Sequence, residues 1–143
     1  MAQFKRDYDF GLQKQRELYP LFCEHFKDDL VNTDNVFAPF DYEGTTTSYE
    51  LKSRRNKYND YSTTYLPGDK VKPNHPKKQT FLFHFTDGTY YIPYDKELFE
   101  TFENNPFRRY REGVKDVKKP YLNIPIDKLI KIWTNIGLLP VNI

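Results

Sequence analysis

A single-domain α/β fold, with a central mixed β-sheet flanked by helices, is what this sequence predicts, and three observations predict it. The chain has 143 residues, the length of one domain rather than two, and enough to bury a core without disulfides or a structural metal. Apolar periodicity runs in the order helix, two strands, loop, two strands, helix, strand, helix, with no internal repeat and no low-complexity linker. Only 38% of residues are hydrophobic, but 17% are Phe, Tyr or Trp, and these large side chains can carry the core that Leu and Val usually supply. That aromatic content argues against disorder despite the low mean hydropathy.

Each element has its own local reason. Between Asp9 and Leu30, the residues Leu12, Leu18, Phe22, Phe26 and Leu30 recur at near-helical spacing. Pro20 has no N–H for the preceding turn, so the segment is one kinked helix or two short ones. Residues 36–42 and 46–53 are rich in β-formers and flank Glu43-Gly44-Thr45, a hairpin pattern. Residues 54–79 are polar and punctuated by Pro67-Gly68, Pro73 and Pro76, with one apolar island from Tyr61 to Leu66, which predicts a long loop region with brief structure. Phe81 to Phe85 and Tyr90 to Tyr94 flank an Asp87-Gly88 pair, a strong hairpin signal. Asp95 can cap a helix over residues 96–103 that Asn104-Asn105-Pro106 ends, and residues 107–124 read as extended. Asp127 can cap a last helix with Leu129, Ile130, Trp133 and Ile136 inward and Gly137 at its C-terminal cap.

Composition also excludes chemistry. The single cysteine, Cys23, allows no intramolecular disulfide and no cysteine-based zinc site. No apolar run approaches the ~20 residues of a membrane span, and the opening MAQFKRDYDF lacks the apolar stretch of a signal peptide. A soluble intracellular protein, cytoplasmic or nuclear, is expected. The net charge of +2 hides blocks of opposite sign: −5 over residues 1–50, +6 over residues 52–78 and +4 over residues 108–119. The basic blocks would attract a polyanion, and clustered carboxylates could hold a divalent cation. Both blocks could also be ordinary solvated surface.

The carboxylates with the most specific placement are Asp41 and Glu50. If residues 44–47 form the hairpin tip, these two lie opposite each other on adjacent strands. Alternation then puts Ser48, Glu50, Lys52 and Arg54 on one side, with Tyr49 and Leu51 directed into the core. Like charges opposed across a ladder destabilise a sheet unless something positive lies between them, and a divalent ion supplies that charge. Lys52 could orient or deprotonate a water and stabilise the negative charge that develops in attack on a phosphodiester. It could equally form a plain salt bridge with Asp41 or Glu50. The acid-x-Lys spacing is weak by itself: about two pairs are expected by chance from 20 acidic residues and 15 lysines, and two occur, Glu50-Leu51-Lys52 and Asp116-Val117-Lys118. Only the first lies on a credible buried strand with a second carboxylate on its partner.

Taken together, Gly11 to Glu17 on a first helix, Phe40-Asp41-Tyr42, and Tyr49-Glu50-Leu51-Lys52-Ser53-Arg54 resemble the PD-(D/E)xK nuclease superfamily, with its restriction-endonuclease-like fold. Thr63-Thr64 and Lys70 are similar to the threonine-and-lysine segment that follows the core hairpin in some members. The resemblance covers residues 10–94 and implies a metal-dependent phosphodiesterase. On that basis Asp41 and Glu50 are the ligands of Mg²⁺, with Mn²⁺ as substitute; Lys52 is the catalytic lysine, Glu17 the accessory helix carboxylate, and Lys70 a further site residue. Phe40 stands where the namesake motif has proline, with Pro39 one place early. Small nucleases of this fold often act as dimers, so a homodimer is a further expectation.

The basic loop Arg54, Arg55 and Lys57 follows the carboxylates directly, and Arg108, Arg109 and Arg111 form a second patch; both are candidates for contact with the DNA backbone. Tyr58, Tyr61 and Tyr65 interleave with the first patch, where they could stack on bases or cover their own core. His25, His75 and His84 occur at unrelated spacings, and Cys23 reads as helix packing. The reading that results is a metal-dependent DNA nuclease guided by shape or single-strandedness rather than by sequence. A non-catalytic member of the same fold that binds nucleic acid or protein is the alternative, and a tyrosine-rich structural protein is a third class that leaves the opposed carboxylates unexplained.

Overall fold

The computed structural model describes residues 2–33, 38–107, 110–111, 114–115 and 119–132. The chain opens with helix α1 (Ala2–Glu17) and helix α2 (Tyr19–Phe26). The break falls at Leu18, and Pro20 lies in the first turn of α2, where its missing N–H is not needed. Lys27 closes α2 in the left-handed conformation, with φ 54°. The helical segment therefore starts earlier and ends sooner than Asp9 to Leu30.

Next come β1 (Val31–Asn32), β2 (Tyr42–Glu43), β3 (Thr47–Ser53), β4 (Thr63–Pro67), a 3₁₀ turn over Gly68–Lys70, β5 (Lys78–Phe85) and β6 (Gly88–Pro93). Helix α3 (Lys96–Glu100) follows, then β7 (Glu103–Phe107), β8 (Tyr110–Arg111), β9 (Val114–Lys115), β10 (Lys119–Pro125), a 3₁₀ turn over Ile126–Lys128, and β11 (Ile130–Lys131). The main sheet has the order β1-β2-β3-β5-β6-β11 and is mixed: β3 and β5 are parallel, and the other neighbours are antiparallel. Parallel neighbours require a crossover, which residues 54–77 supply. Within that crossover, β4 leaves the main sheet and joins β10 and β7 in a second, antiparallel sheet of order β4-β10-β7. The brief structure expected in this loop region is a five-residue strand built on the apolar island.

Alternation along β5 shows how the aromatic residues form the core. Phe81, Phe83 and Phe85 face one apolar cluster with Leu66 of β4, Ile124 of β10, and Phe99 and Phe102 from α3 and its exit. Leu82 faces the opposite cluster with Leu18, Leu21, Phe22, Tyr42, Tyr49 and Leu51, under the helices. A strand buried on both faces reads as a continuous apolar run, which is why Phe81 to Phe85 is legible as a central strand. Each of these Phe side chains contributes roughly 1.5–3 kcal/mol by leaving water.

Two later expectations are corrected. Asp95 does cap α3, its Oδ1 accepting the Leu98 N–H at 3.2 Å, but the helix ends at Glu100 and the supposed terminator 104–106 lies inside β7. Pro106 is tolerated there because β7 is an edge strand. No helix starts at Asp127 within the described residues: Asp127 sits inside a 3₁₀ turn, and Ile130 pairs with Tyr91 of β6. Leu129 and Ile132 are buried while Ile130 is exposed, so the short apolar run that fits a helical period was a strand with its bend. Trp133, Ile136 and Gly137 lie outside the described residues. Among the described residues no helix is long and apolar enough to cross a membrane.

Candidate active site

The β2–β3 hairpin sets the geometry. Its register pairs Tyr42 with Tyr49 and Glu43 with Ser48, and one step further the ladder brings Asp41 to Glu50. Asp41 donates its N–H to the Tyr49 carbonyl at 3.0 Å. The next donor, the Leu51 N–H, goes to Oδ2 of the Asp41 side chain at 2.8 Å. The Asp41 carbonyl in turn accepts from the Thr33 N–H (3.0 Å), the Thr33 hydroxyl (3.0 Å) and Nε2 of Gln15 (3.0 Å). Gln15, buried on α1, also donates to Asn32 Oδ1 at 2.7 Å. Asp41 is therefore held from β3, from the segment after β1 and from α1, the kind of support that fixes a functional side chain.

Because β2 begins only at Tyr42, the edge of β3 around Leu51 and Lys52 is met by the Asp41 side chain instead of a longer strand, and a cavity of about 210 Å³ opens there. Asp41, Glu50, Leu51, Lys52 and Lys70 form one wall; Asp7, Tyr8, Gly11, Leu12 and Gln15 of α1 form the other. Glu50 is only 5% exposed. Its Oε2 lies 3.4 Å from Lys52 Nζ and 3.5 Å from Lys70 Nζ. Lys70 comes from the 3₁₀ turn after β4, so the crossover returns a second cation to the same carboxylate.

Burial, with the negative charge of Glu50 added to it, raises the Asp41 carboxyl to about 7; the Leu51 N–H and the two lysines pull the other way. Burial also lowers the Lys52 ammonium below its ordinary value, with Lys70 and Arg54 adding to the effect and Glu50 opposing it. The site thus combines an acid that holds its proton near neutrality with an amine that gives its proton up more readily than usual.

Not every candidate arrives. Glu17 is not part of the cavity wall: its carboxylate accepts from Gln13 at 2.8 Å and pairs with Lys14 at 3.3 Å on its own helix. The reason is angular, since Gln15 faces the cavity and a residue two positions on lies about 200° round the helix. The helix carboxylate at the cavity is Asp7, which pairs with Arg55 at 3.1 Å. Its signal was the spacing 7, 8, 11, 12, 15, one helical face, but of these only Leu12 belongs to the apolar series that marks the helix in the sequence.

Arg54 is directed inward. Its guanidinium lies 4.2 Å from the centre of the Tyr65 ring and donates to the Tyr65 carbonyl, so in this structure it packs on Tyr65. Arg55 lies at the rim, over the Phe10 ring at 4.2 Å, and Lys57 is exposed. Arg108 and Arg109 lie outside the described residues, and of Arg111 only the backbone, in β8, is described. Asp116 and Lys118 also lie outside them. Tyr58 stacks on Tyr90 at 4.1 Å and donates to the Ile126 carbonyl, which makes it core. Cys23 is a partly buried member of the cluster under the helices.

Among the described residues, no group of three or more His, Cys, Asp or Glu is placed to hold a metal. The two carboxylates still fit Mg²⁺, which keeps several waters and is typically bound through one or two carboxylates together with substrate phosphate oxygens. Their mutual repulsion, visible in the raised Asp41, is what a divalent ion would relieve. Comparison of the chain with protein-family models, with curated proteins and with solved structures gave no match.

Proposed function

We propose that this chain is a Mg²⁺-dependent nuclease of restriction-endonuclease-like fold that hydrolyses phosphodiester bonds in DNA. One observation carries the reading: Asp41, Glu50, Lys52 and Lys70, from three separate parts of the chain, line one cavity, with both ammonium groups on Glu50. An isolated structural ion pair needs neither the second lysine nor the opposed carboxylate.

Asp41 and Glu50 would hold the ion, which when bound supplies Lewis-acid stabilisation of a phosphate oxygen. The chain's own residues do the rest. Lys52, with its ammonium lowered by burial, orients the attacking water and takes up or releases its proton. Lys70 adds a positive charge beside the negative charge that grows on the phosphate oxygens. Leu51 N–H and the three donors on the Asp41 carbonyl keep the carboxylate in place, so no rearrangement is needed at the moment of reaction. Arg55 at the rim, with the exposed Lys57 two residues on, draws in the backbone without reading bases.

The test is cleavage of labelled single-stranded, duplex and branched DNA by the purified chain with Mg²⁺ or Mn²⁺. Cleavage that stops with EDTA and is lost in Lys52→Ala is the expected result. Binding without cleavage under all these conditions would replace the nuclease with a non-catalytic binding member of the same fold.

A further inference from the structure

A phosphate chain lying over Lys52 carries bases to either side, and the residues next to Lys52 on the same strand face decide what those bases meet. Arg54 is that neighbour: its N–H continues the β3–β5 ladder to the His84 carbonyl at 2.7 Å, and alternation keeps it on the Lys52 side, about 7 Å along the strand. Its guanidinium does not point into solvent. It covers the Tyr65 ring at 4.2 Å, donates to the Tyr65 carbonyl and lies 6.0 Å from the Phe83 ring. Its Nε is buried with no hydrogen-bond partner, a cost that cores avoid unless something else fixes the group. Here the stacked ring fixes it.

Tyr65 is exposed by the pleat of β4. Thr64 and Leu66 are buried, whereas Tyr65 is 49% exposed and pairs with Asn123 of β10. Tyr121, two residues from Asn123 on the same face, meets the Tyr65 ring edge-on, with centroids 5.2 Å apart and planes at 77°. A ring held by a guanidinium, by its own backbone and by a second ring has little freedom left to lose on binding. Lys70, five residues further along the chain, places its ammonium 3.5 Å from Glu50 in the cavity.

We propose that Tyr65, clamped by Arg54 and edged by Tyr121, is a stacking platform for an unpaired base of the strand whose backbone enters the Asp41, Glu50 and Lys52 cavity. A base in an intact duplex has both faces occupied by its neighbours, so the platform selects single-stranded or frayed nucleic acid. The inference rests on the nuclease reading and specifies its substrate.

The experiment measures fluorescence anisotropy with the full chain in a Lys52→Ala background, titrating labelled oligothymidylate, an abasic chain of equal length and a duplex. Tyr65→Ile keeps a β-forming apolar side chain and removes the aromatic face; it should weaken oligothymidylate binding about tenfold, and the abasic chain and the duplex by no more than about twofold. Tyr65→Phe should bind all three like the parent. Equal weakening on all three ligands, or on none, overturns the platform. Calorimetric titration of Mn²⁺ into the otherwise wild-type chain separates the two failures. Mn²⁺ binding that Asp41→Ala abolishes, together with a single-strand preference indifferent to Tyr65, sinks the platform alone. Absence of Mn²⁺ binding and of nucleic-acid binding sinks the nuclease reading and the platform with it.

Discussion

The Leu51 N–H donates to the Asp41 carboxylate at 2.8 Å, so the side chain of Asp41 occupies the place in the hairpin ladder that a backbone carbonyl would otherwise take. Leu51 is thereby fixed between two charged neighbours, Glu50 and Lys52, whose side chains emerge on the opposite side from its own. A single hydrogen bond couples the strand edge to the carboxylate pair.

That carboxylate lowers stability when ionised. Its folded-state value of about 7 lies above the ordinary carboxylate range, so between roughly pH 4 and 7 the folded chain holds a proton that the unfolded chain releases. Stability contributed by this group is therefore lost as pH rises through that window. Asp41→Asn keeps an oxygen acceptor for Leu51 and removes the charge. In EDTA it should melt with the wild type near pH 4 and several degrees higher at pH 8, a gain on the order of 4 kcal/mol. Thermal melts across the pH range check this, and a variant less stable at pH 8 would show that the Asp41 charge is already compensated.

The same proton competes with metal. Mn²⁺ affinity, read by calorimetry in buffers of different ionisation enthalpy, should rise about tenfold per pH unit below 7, flatten above it, and release close to one proton at pH 6. Affinity independent of pH would mean that Asp41 is not a ligand.

Lys52→Ala should reduce cleavage by at least about 10²-fold while DNA affinity stays within a few-fold, because its interaction strengthens in the transition state. Lys52→Arg can pair with Glu50 but serves poorly in proton transfer, so it should remain inactive. An active Lys52→Arg variant would reduce Lys52 to a salt-bridge partner. Asp116→Ala, by contrast, should cut at the wild-type rate.

On α1 the two acids should behave differently. Glu17→Ala should leave cleavage within about twofold, because its carboxylate is held by Gln13 and Lys14 of its own helix and is not part of the cavity wall. Asp7→Ala removes the partner of Arg55 at the cavity wall, and should tighten DNA binding a few-fold at low salt through the added positive potential. Parallel rate and affinity measurements decide, and a large loss in Glu17→Ala would return that residue to the site.

Salt dependence separates the arginines. Arg55→Ala and Lys57→Ala should each reduce the slope of log affinity against log salt by about 1. Arg54→Ala should leave the slope unchanged and instead lower stability by about 1 kcal/mol, since its contacts are with Tyr65 and Phe83. A reduced slope in Arg54→Ala would mean that its guanidinium leaves Tyr65 for phosphate in the complex.

Sequence by itself determined the elements whose signals are local. The Asp87-Gly88 turn, the alternation of Phe81, Phe83 and Phe85, the cap at Asp95 and the opposition of Asp41 and Glu50 across a short hairpin each follow from residues a few positions apart, where period and turn chemistry act directly. Tertiary structure decided everything that depends on which distant segments meet. β4 is a strand only because β10 pairs with it, Pro106 lies in a strand only because that strand is an edge, and Ile130 extends because Tyr91 offers a ladder. Lys70 reaches Glu50 because the crossover folds back, Asp7 replaces Glu17 because of the rotation of α1, and Arg54 turns inward because Tyr65 lies beneath it. Local periodicity fixes which face a side chain takes, but the partner on that face is set by packing between elements far apart in the chain, and no spacing within one segment encodes it.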